Sequence, residues 1–343
     1  SCIGEAEKQA VSGVLDREHL GMGVEVQQFE DALSEFFGRQ TVCVINGTAA
    51  LHLSLQACGV GPGDEVLVPS LTYVASFQAI SATGALPVAC DINEETYLLD
   101  LVDAEKRITK NTKAIMPVHY TGGVGDLNVI YEFANKYNLK VIEDAAHAFG
   151  TTFNNKRVGS FGDIVCFSFD GIKNITSGEG GCVVSDDKEV LKRIKDARLL
   201  GIENDTDKRF SGKRSWNFDV TKQGWRYHMS NIMAAIGIEQ LKRFPILAEK
   251  RQNFAKLYDE LFIKEVIFIG DTLAPDHIFY YDKNYYVYCY QVKVLLENVG
   301  SKLQNVLDFY HSGKYWDSID VEKFTPFDSS WFCIQKWYGF LCL

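Results

Sequence analysis

No apolar run in the 343 residues is long enough to span a bilayer, and no signal pattern opens the chain. Neither membrane insertion nor secretion is therefore indicated. Internal repeats and low-complexity linkers are also absent. The 9 cysteines are odd in number and form no C-x-x-C pair. They sit in apolar runs such as "TVCVI", "PVACD" and "IVCFSF", which excludes a disulfide framework and a cysteine zinc site. Buried thiols in the reducing cytoplasm are the expected state. Basic residues are outnumbered, 35 to 45, for a net charge of -10. That balance argues against nucleic acid or an anionic membrane as the main partner, while leaving room for a local cationic pocket. The first residues, "SCIGEAEKQAV", contain no initiating Met, so further residues are expected before them.

What is present reads as a globular protein, 46% apolar and 23% charged. Its length exceeds what one core usually supports, so a large domain plus a smaller one is expected. Through the first two-thirds, short apolar runs alternate with helical patterns. "TVCVIN", "EVLVPS", "LPVACD", "KAIMPVH" and "KVIED" read as strands. "GTAALHLSLQACG", "YVASFQAISATG", "DAEKRI" and "LNVIYEFANKYN" read as helices, followed by "DDKEVLKRIKDARLL" and a stretch over 230–261. The strands are continuous Val/Ile-rich runs, which predicts burial on both faces of a mainly parallel α/β sheet with right-handed crossovers. Ligands in such a sheet bind beyond the carboxyl ends of the strands. From His277 onward the pattern changes: aromatics are about twice as dense as the chain's 13%. That stretch reads either as a small domain's core or as a sequence altered from its ancestral frame.

Three strand ends carry candidate groups. At "NGTAAL" a strand runs into a helix at Gly47, Thr48 and Ala49. Unpaired N–H groups and the positive end of the helix dipole suit an anion there, although an ordinary cap would read the same way. In "KVIEDAAHAFG" (140–150), Glu143 and Asp144 close a buried strand, where a carboxylate is costly unless paired. His147 follows three residues after Asp144. A capping aspartate with a structural histidine is one reading and a functional pair another. A metal site is not supported, because no second His or Cys stands at ligand spacing. Finally, "FSFDGIKNITSGEGG" (167–181) places Lys173 just past a strand, five residues after Ser168. Gly178, Gly180 and Gly181 let the chain turn and return as "CVVSD". The run is not G-x-G-x-x-G and opens no helix, so a dinucleotide site is not supported. A surface lysine in a turn and a nucleophilic amine in a pocket both fit this loop taken alone.

Together, an anion cradle, a strand-end carboxylate and an isolated lysine share one economical explanation, pyridoxal 5'-phosphate (PLP). The lysine would form the Schiff base and the helix N-terminus would hold the phosphate. The aspartate would keep the pyridine nitrogen protonated. Tyr73, opening the helix after "PSLT", is placed to stack on the ring.

The order and wording of "NGTAALHLSLQACGVGPGDEVLVPSLTYVAS", "AIMPVHYTGGVGDL", "VIEDAAHAFGT", "VGSFGDIVCFSFDGIKNITSGEGG" and "GWRYHMSNIMAAIGIEQL" resemble the DegT/StrS-type sugar-nucleotide aminotransferases over residues 3–261. The resemblance implies a fold-type I α/β domain over 1–240, with a mainly parallel sheet, and a smaller C-terminal α+β domain over 241–343. It implies a homodimer with shared sites, moving an amino group from L-glutamate to a nucleotide-linked keto-deoxy sugar for lipopolysaccharide or another surface glycan. Matched position by position, Lys173 is the Schiff-base lysine and Asp144 the partner of the pyridine nitrogen. His147 matches the Gln/His beside the ring, Tyr73 the stacking aromatic, and Gly47, Thr48, Ala49 and Ser168 the phosphate contacts. Arg226 and His228 stand where Asn and Arg or Asn are common, in the stretch that reaches the neighbouring subunit's phosphate. The chain departs from the pattern at both ends. The family's site-lining segment before "IGEAE" is not found, and no match is expected after about residue 261. There the family carries His- and Pro-containing segments, whereas only Pro275 and Pro326 occur beyond Pro245. Superfamily members with histidine in place of the lysine act as dehydratases, which Lys173 argues against. An amino-acid or keto-acid aminotransferase and an inactive cofactor-binding remnant remain alternatives.

Overall fold

The computed structural model describes residues 2–212, 218–265, 278–279 and 288–289, with side chains up to residue 256. In chain order the elements of the main unit are α1 (Glu5–Asp16), α2 (Val24–Phe37), β1 (Thr41–Val44), α3 (Gly47–Ala57), β2 (Glu65–Pro69), α4 (Val74–Ala82), β3 (Leu86–Cys90), α5 (Leu101–Arg107), β4 (Thr112–Ile115), α6 (Leu127–Tyr137) and β5 (Lys140–Asp144). A short hairpin, β6 (Thr152–Phe153) and β7 (Lys156–Arg157), precedes β8 (Ile164–Ser168) and β9 (Gly181–Ser185). Then follow α7 (Lys188–Ala197), α8 (Asp205–Phe210) and α9 (Asn231–Glu265). Residues Ser1–Lys250 belong to one compact unit. The aromatic-rich stretch from His277, with its two readings, lies almost wholly outside the described residues.

Seven strands form one sheet in the order β1-β9-β8-β5-β4-β2-β3. All neighbours pair in parallel except β9, which runs antiparallel to both β1 and β8. The expected mixed α/β architecture with a mostly parallel sheet is therefore present. Alternate residues on each strand feed different layers. Val42, Val44, Ile142 and Cys166 pack under α3 and α7, while Cys43, Val165 and Phe167 pack against α2 and α9. At the other end of that second face, Leu67, Ile115 and Val141 are covered by α5 and α6. Burial on both faces holds for the inner strands but not for β3. Leu86 there is 59% exposed at one edge of the sheet, whereas β1, at the other edge, is buried throughout. Among the described residues no helix is long and apolar enough to cross a membrane.

Local chemistry sets the helix starts. Asn46, Asp100, Asp126 and Asp187 each cap the helix that follows by accepting a backbone N–H bond, which satisfies donors that the first turn leaves over. The capping aspartates sit at βα junctions, so each crossover helix begins at a defined residue.

Candidate active site

β5 ends in two carboxylates, and the period of two sends them to opposite faces. Asp144 Oδ2 accepts a hydrogen bond from Ser76 Oγ (2.8 Å), on the first turn of α4, while Oδ1 accepts from the Ala146 N–H (3.1 Å). Thr72 Oγ1 lies 2.7 Å from Ser76 Oγ and extends the chain of hydroxyls. Glu143 is fully buried on the other face, paired with His119 and Tyr131. Each carboxylate thus has the partners its burial demands.

His147 stands near enough to both Lys173 and Asp144 to be influenced by their charges. The imidazole of His147 is held neutral, its pKa driven from 6.5 down to about 4. Burial is the main cause, the Lys173 charge adds to it, and the Asp144 charge opposes it. Nδ1 of His147 accepts from the Thr121 N–H (3.3 Å), so the ring proton sits on Nε2. The sign of the resulting pH dependence follows. Between pH 6.5 and 4 the unfolded chain takes up a proton at this position and the folded chain does not. Folding stability is therefore unaffected above about 6.5 and is lost as pH falls towards 4. His147→Gln should remove a share of that acid loss on the order of 2–3 kcal/mol, read from urea midpoints at pH 7 and pH 4.5.

Lys173 is half-buried in a turn fixed by its neighbours. Its N–H donates to the Asp170 carbonyl (3.0 Å), and Asp170 Oδ1 accepts from the Ile172 N–H (3.1 Å). Asn174 Nδ2 donates to the Phe149 carbonyl (2.8 Å), and the Ser177 N–H to that of Phe169 (2.9 Å). Beneath the loop, Phe149 meets Phe167 and Phe169 edge-on, and Phe37 stacks on Phe167 at 4.9 Å. An aromatic floor under a hydrogen-bonded turn holds the lysine's backbone in one place.

The anion cradle forms where β1, β8 and β9 converge. Asn46 Oδ1 takes the Ala49 N–H (2.8 Å), which withdraws that donor from the expected phosphate contacts. The N–H groups of Gly47 and Thr48 remain to be met from outside the helix. A Cβ on Gly47 would lie 2.9 Å from Ser168 Cβ, so the glycine brings the helix end and the Ser168 hydroxyl together. A Cβ on Gly181 would lie 2.6 Å from both the carbonyl carbon and oxygen of Asn46. Gly181→Ala should therefore displace the start of α3 and destabilise the fold by about 1–3 kcal/mol. Thermal unfolding and titration with pyridoxal phosphate would both report it, the latter as weakened binding.

Tyr73 caps α4 three residues before Ser76, and its side chain is 74% exposed. Arg226 and His228 flank Tyr227, whose carbonyl accepts the Ile45 N–H (2.7 Å) at the end of β1, and the same strip is joined to the segment after α7 by the Leu199–Arg226 bridge. Arg226 is exposed. His228 is held at a pKa of about 4 by burial first and then by Arg209, Arg226 and Arg198, and its Nδ1 is buried without a partner. The strip thus lies against the end of β1, two residues before Gly47, and the His228 imidazole in it is neutral at pH 7.

A model of the DegT/DnrJ/EryC1/StrS aminotransferase family matches residues 1–307. The chain belongs to this family. It is similar to the spore coat polysaccharide biosynthesis protein SpsC of Bacillus subtilis, with 40% identity over 261 residues, 76% of this chain and 67% of that protein. Among solved structures it resembles Spr1654 of Streptococcus pneumoniae in its PLP form, with 33% identity and a TM-score of 0.71 over 76% of this chain and 70% of that one. It also resembles Helicobacter pylori PseC, an aminotransferase involved in the biosynthesis of pseudoaminic acid, with 31% identity and a TM-score of 0.69 over 76% and 69% of the two chains. This DegT-family chain has the fold of these PLP-dependent aminotransferases, fold type I, and is itself one. The family model reaches residue 307, beyond the resemblance read over residues 3–261, while the SpsC alignment spans 261 residues.

The residues of this DegT-family chain fit pyridoxal phosphate. An anion fits the two unmet N–H groups beside Ser168, where glycine leaves space that a Cβ would fill. A cationic ring nitrogen suits Asp144, whose carboxylate is oriented from both oxygens. Reading the sequence missed Ser76, the residue that orients Asp144. No local pattern marked it, since its partner lies 68 residues away in the sequence.

Proposed function

We propose that this DegT-family aminotransferase moves an amino group from L-glutamate to a nucleotide-linked keto-deoxy sugar in lipopolysaccharide or other surface-glycan synthesis, in the cytoplasm. The gathering of Lys173, His147 and Asp144 at the carboxyl edge of the sheet, beside the α3 N-terminus, carries this reading. Bound pyridoxal phosphate supplies an aldehyde for exchange of amines and a ring that accepts electrons from the substrate carbon.

The chain's own groups divide the remaining work. Lys173 Nζ is the amine that would hold the cofactor as a Schiff base and, once released and neutral, move a proton at the substrate's α-carbon. Asp144 places a negative charge where it keeps the pyridine nitrogen protonated, and Ser76 with the Ala146 N–H holds its orientation. His147, neutral at pH 7, donates from Nε2 at the ring's edge without adding charge. Gly47, Thr48 and Ser168 would hold the phosphate, Ala49 would line its floor, and Tyr73 would stack on the ring. Arg226 and His228 would serve the partner's phosphate in a homodimer with shared sites. The large domain over 1–240 carries the cofactor, and a smaller C-terminal domain covers 241–343.

The test is an absorption spectrum of the protein with pyridoxal phosphate, before and after adding L-glutamate. A Lys173-dependent band that glutamate converts to the amine form of the cofactor supports the reading. A band that glutamate leaves unchanged removes glutamate as the donor.

A further inference from the structure

We propose that His119, Glu143 and Tyr131 form a buried brace that positions Asp144 and His147 for the reaction. These three are positioning residues, since none reaches the site itself. The inference rests on the reading above, in which Asp144 and His147 line the cofactor ring.

Glu143 lies at 0% exposure and His119 at 2%. Glu143 Oε2 is 2.7 Å from His119 Nε2, and Oε1 accepts the hydroxyl hydrogen of Tyr131 on α6. The Tyr131 phenol is pushed well above its ordinary range, by burial first and by the Glu143 charge second, so it stays a donor. A Cβ at Gly162 would collide with both Tyr131 Oη and Glu143 Oε1, so the main chain closes directly over the pair. For stability alone, well-packed apolar side chains often serve as well as a buried ionisable cluster. What distinguishes this one is the backbone to which it is tied.

His119 begins a tight turn that touches both site residues. Its N–H donates to the Asp144 carbonyl (3.0 Å), and the Asp144 N–H donates to the Pro117 carbonyl (2.9 Å). Two residues on, Thr121 adopts φ +60°, a left-handed conformation that costs a threonine about 1–2 kcal/mol. In that conformation its N–H reaches His147 Nδ1 and fixes the ring's tautomer. The far side of the turn is held by Thr151 Oγ1, which donates to the Gly122 carbonyl (3.1 Å). The His119 side chain thus anchors to Glu143 the one turn whose N–H groups reach the Asp144 backbone and the His147 ring. The brace holds Thr121 in its strained state, and Thr121 holds His147.

The experiment uses Glu143→Gln and the milder Tyr131→Phe, each of which leaves Asp144, His147 and Lys173 in place. The full chain is labelled with 15N-histidine, and the His147 imidazole signal is assigned by its loss in His147→Gln. Without added cofactor, both brace variants should shift the His147 ring-nitrogen signals away from the Nδ1-acceptor pattern. With pyridoxal phosphate, turnover should fall on the order of 10- to 100-fold in kcat, with KM for glutamate within about two-fold. A merely structural cluster would lower the unfolding temperature and leave the His147 signals at their wild-type values. Either His147 signals or kcat at wild-type values in both variants overturns the proposal. Failure of the functional reading shows separately, as a wild-type protein with no Lys173-dependent band. The ring-nitrogen signals, which need no cofactor, then decide the brace alone.

Discussion

Lys173→Ala is expected to abolish the absorption band that pyridoxal phosphate forms with the protein and to lower transamination by at least ~10²–10⁴-fold, the range of one positioned acid–base group. The change should leave the fold intact. Lys173 is only half-buried, and its turn is held by backbone and Asp170 hydrogen bonds that an alanine keeps. Phosphate affinity should also survive, because the α3 N-terminus and Ser168 are untouched. An internal check accompanies the loss. The Lys173 charge is the second cause of the low His147 pKa, so in Lys173→Ala the imidazole should titrate above its present value of about 4. A variant that keeps the band places the reacting amine elsewhere in the chain.

The second large effect is expected at Asp144. Asp144→Asn preserves the shape and can keep the bonds with Ser76 and the Ala146 N–H while removing the charge. The Lys173-dependent band should still form. The proton transfer that follows should slow by on the order of 10²–10⁴-fold, because the ring nitrogen loses the partner that keeps it protonated. Asp144→Ala adds a structural cost: the buried Ser76 hydroxyl and the half-buried Ala146 N–H lose their acceptor, at about 1–3 kcal/mol. Comparing the two variants separates charge from scaffold. Normal transamination by Asp144→Asn would remove this residue from its proposed role.

The sheet strands and most helices were legible in the sequence because each was a run of one period bounded by Gly, Asp or Asn. α3, for example, begins after Asn46 and is followed by Gly59 at φ +78°. β3 misled because "LPVACD" has the composition of an inner strand, and only its pairing shows that it lies at the edge. Within the site, Asp144, His147 and Lys173 were legible because each follows a strong strand signal. Ser76 and His119 were not, since their roles depend on partners 68 and 24 residues away. Ala49 was half legible: the small residue belongs to the cradle, but its N–H had already been claimed by the cap that starts the helix. Glu143 and Asp144 read as one acidic pair, yet the alternation of the strand gives them separate tasks.

The antiparallel strand β9 has a consequence for the order in which this protein can assemble. Thr41 pairs with Val184, so β1 waits for a partner roughly 140 residues downstream. At ribosomal speeds that delay is on the order of 10 s, during which a short hydrophobic strand has no neighbour and is exposed to aggregation and chaperones. When β9 arrives, Gly181 closes against Asn46 and the return from the Lys173 loop is set in the same step. β1 thus joins the sheet in the step that closes the proposed phosphate cradle, and a nascent chain shorter than about residue 185 has neither that strand in place nor the cradle.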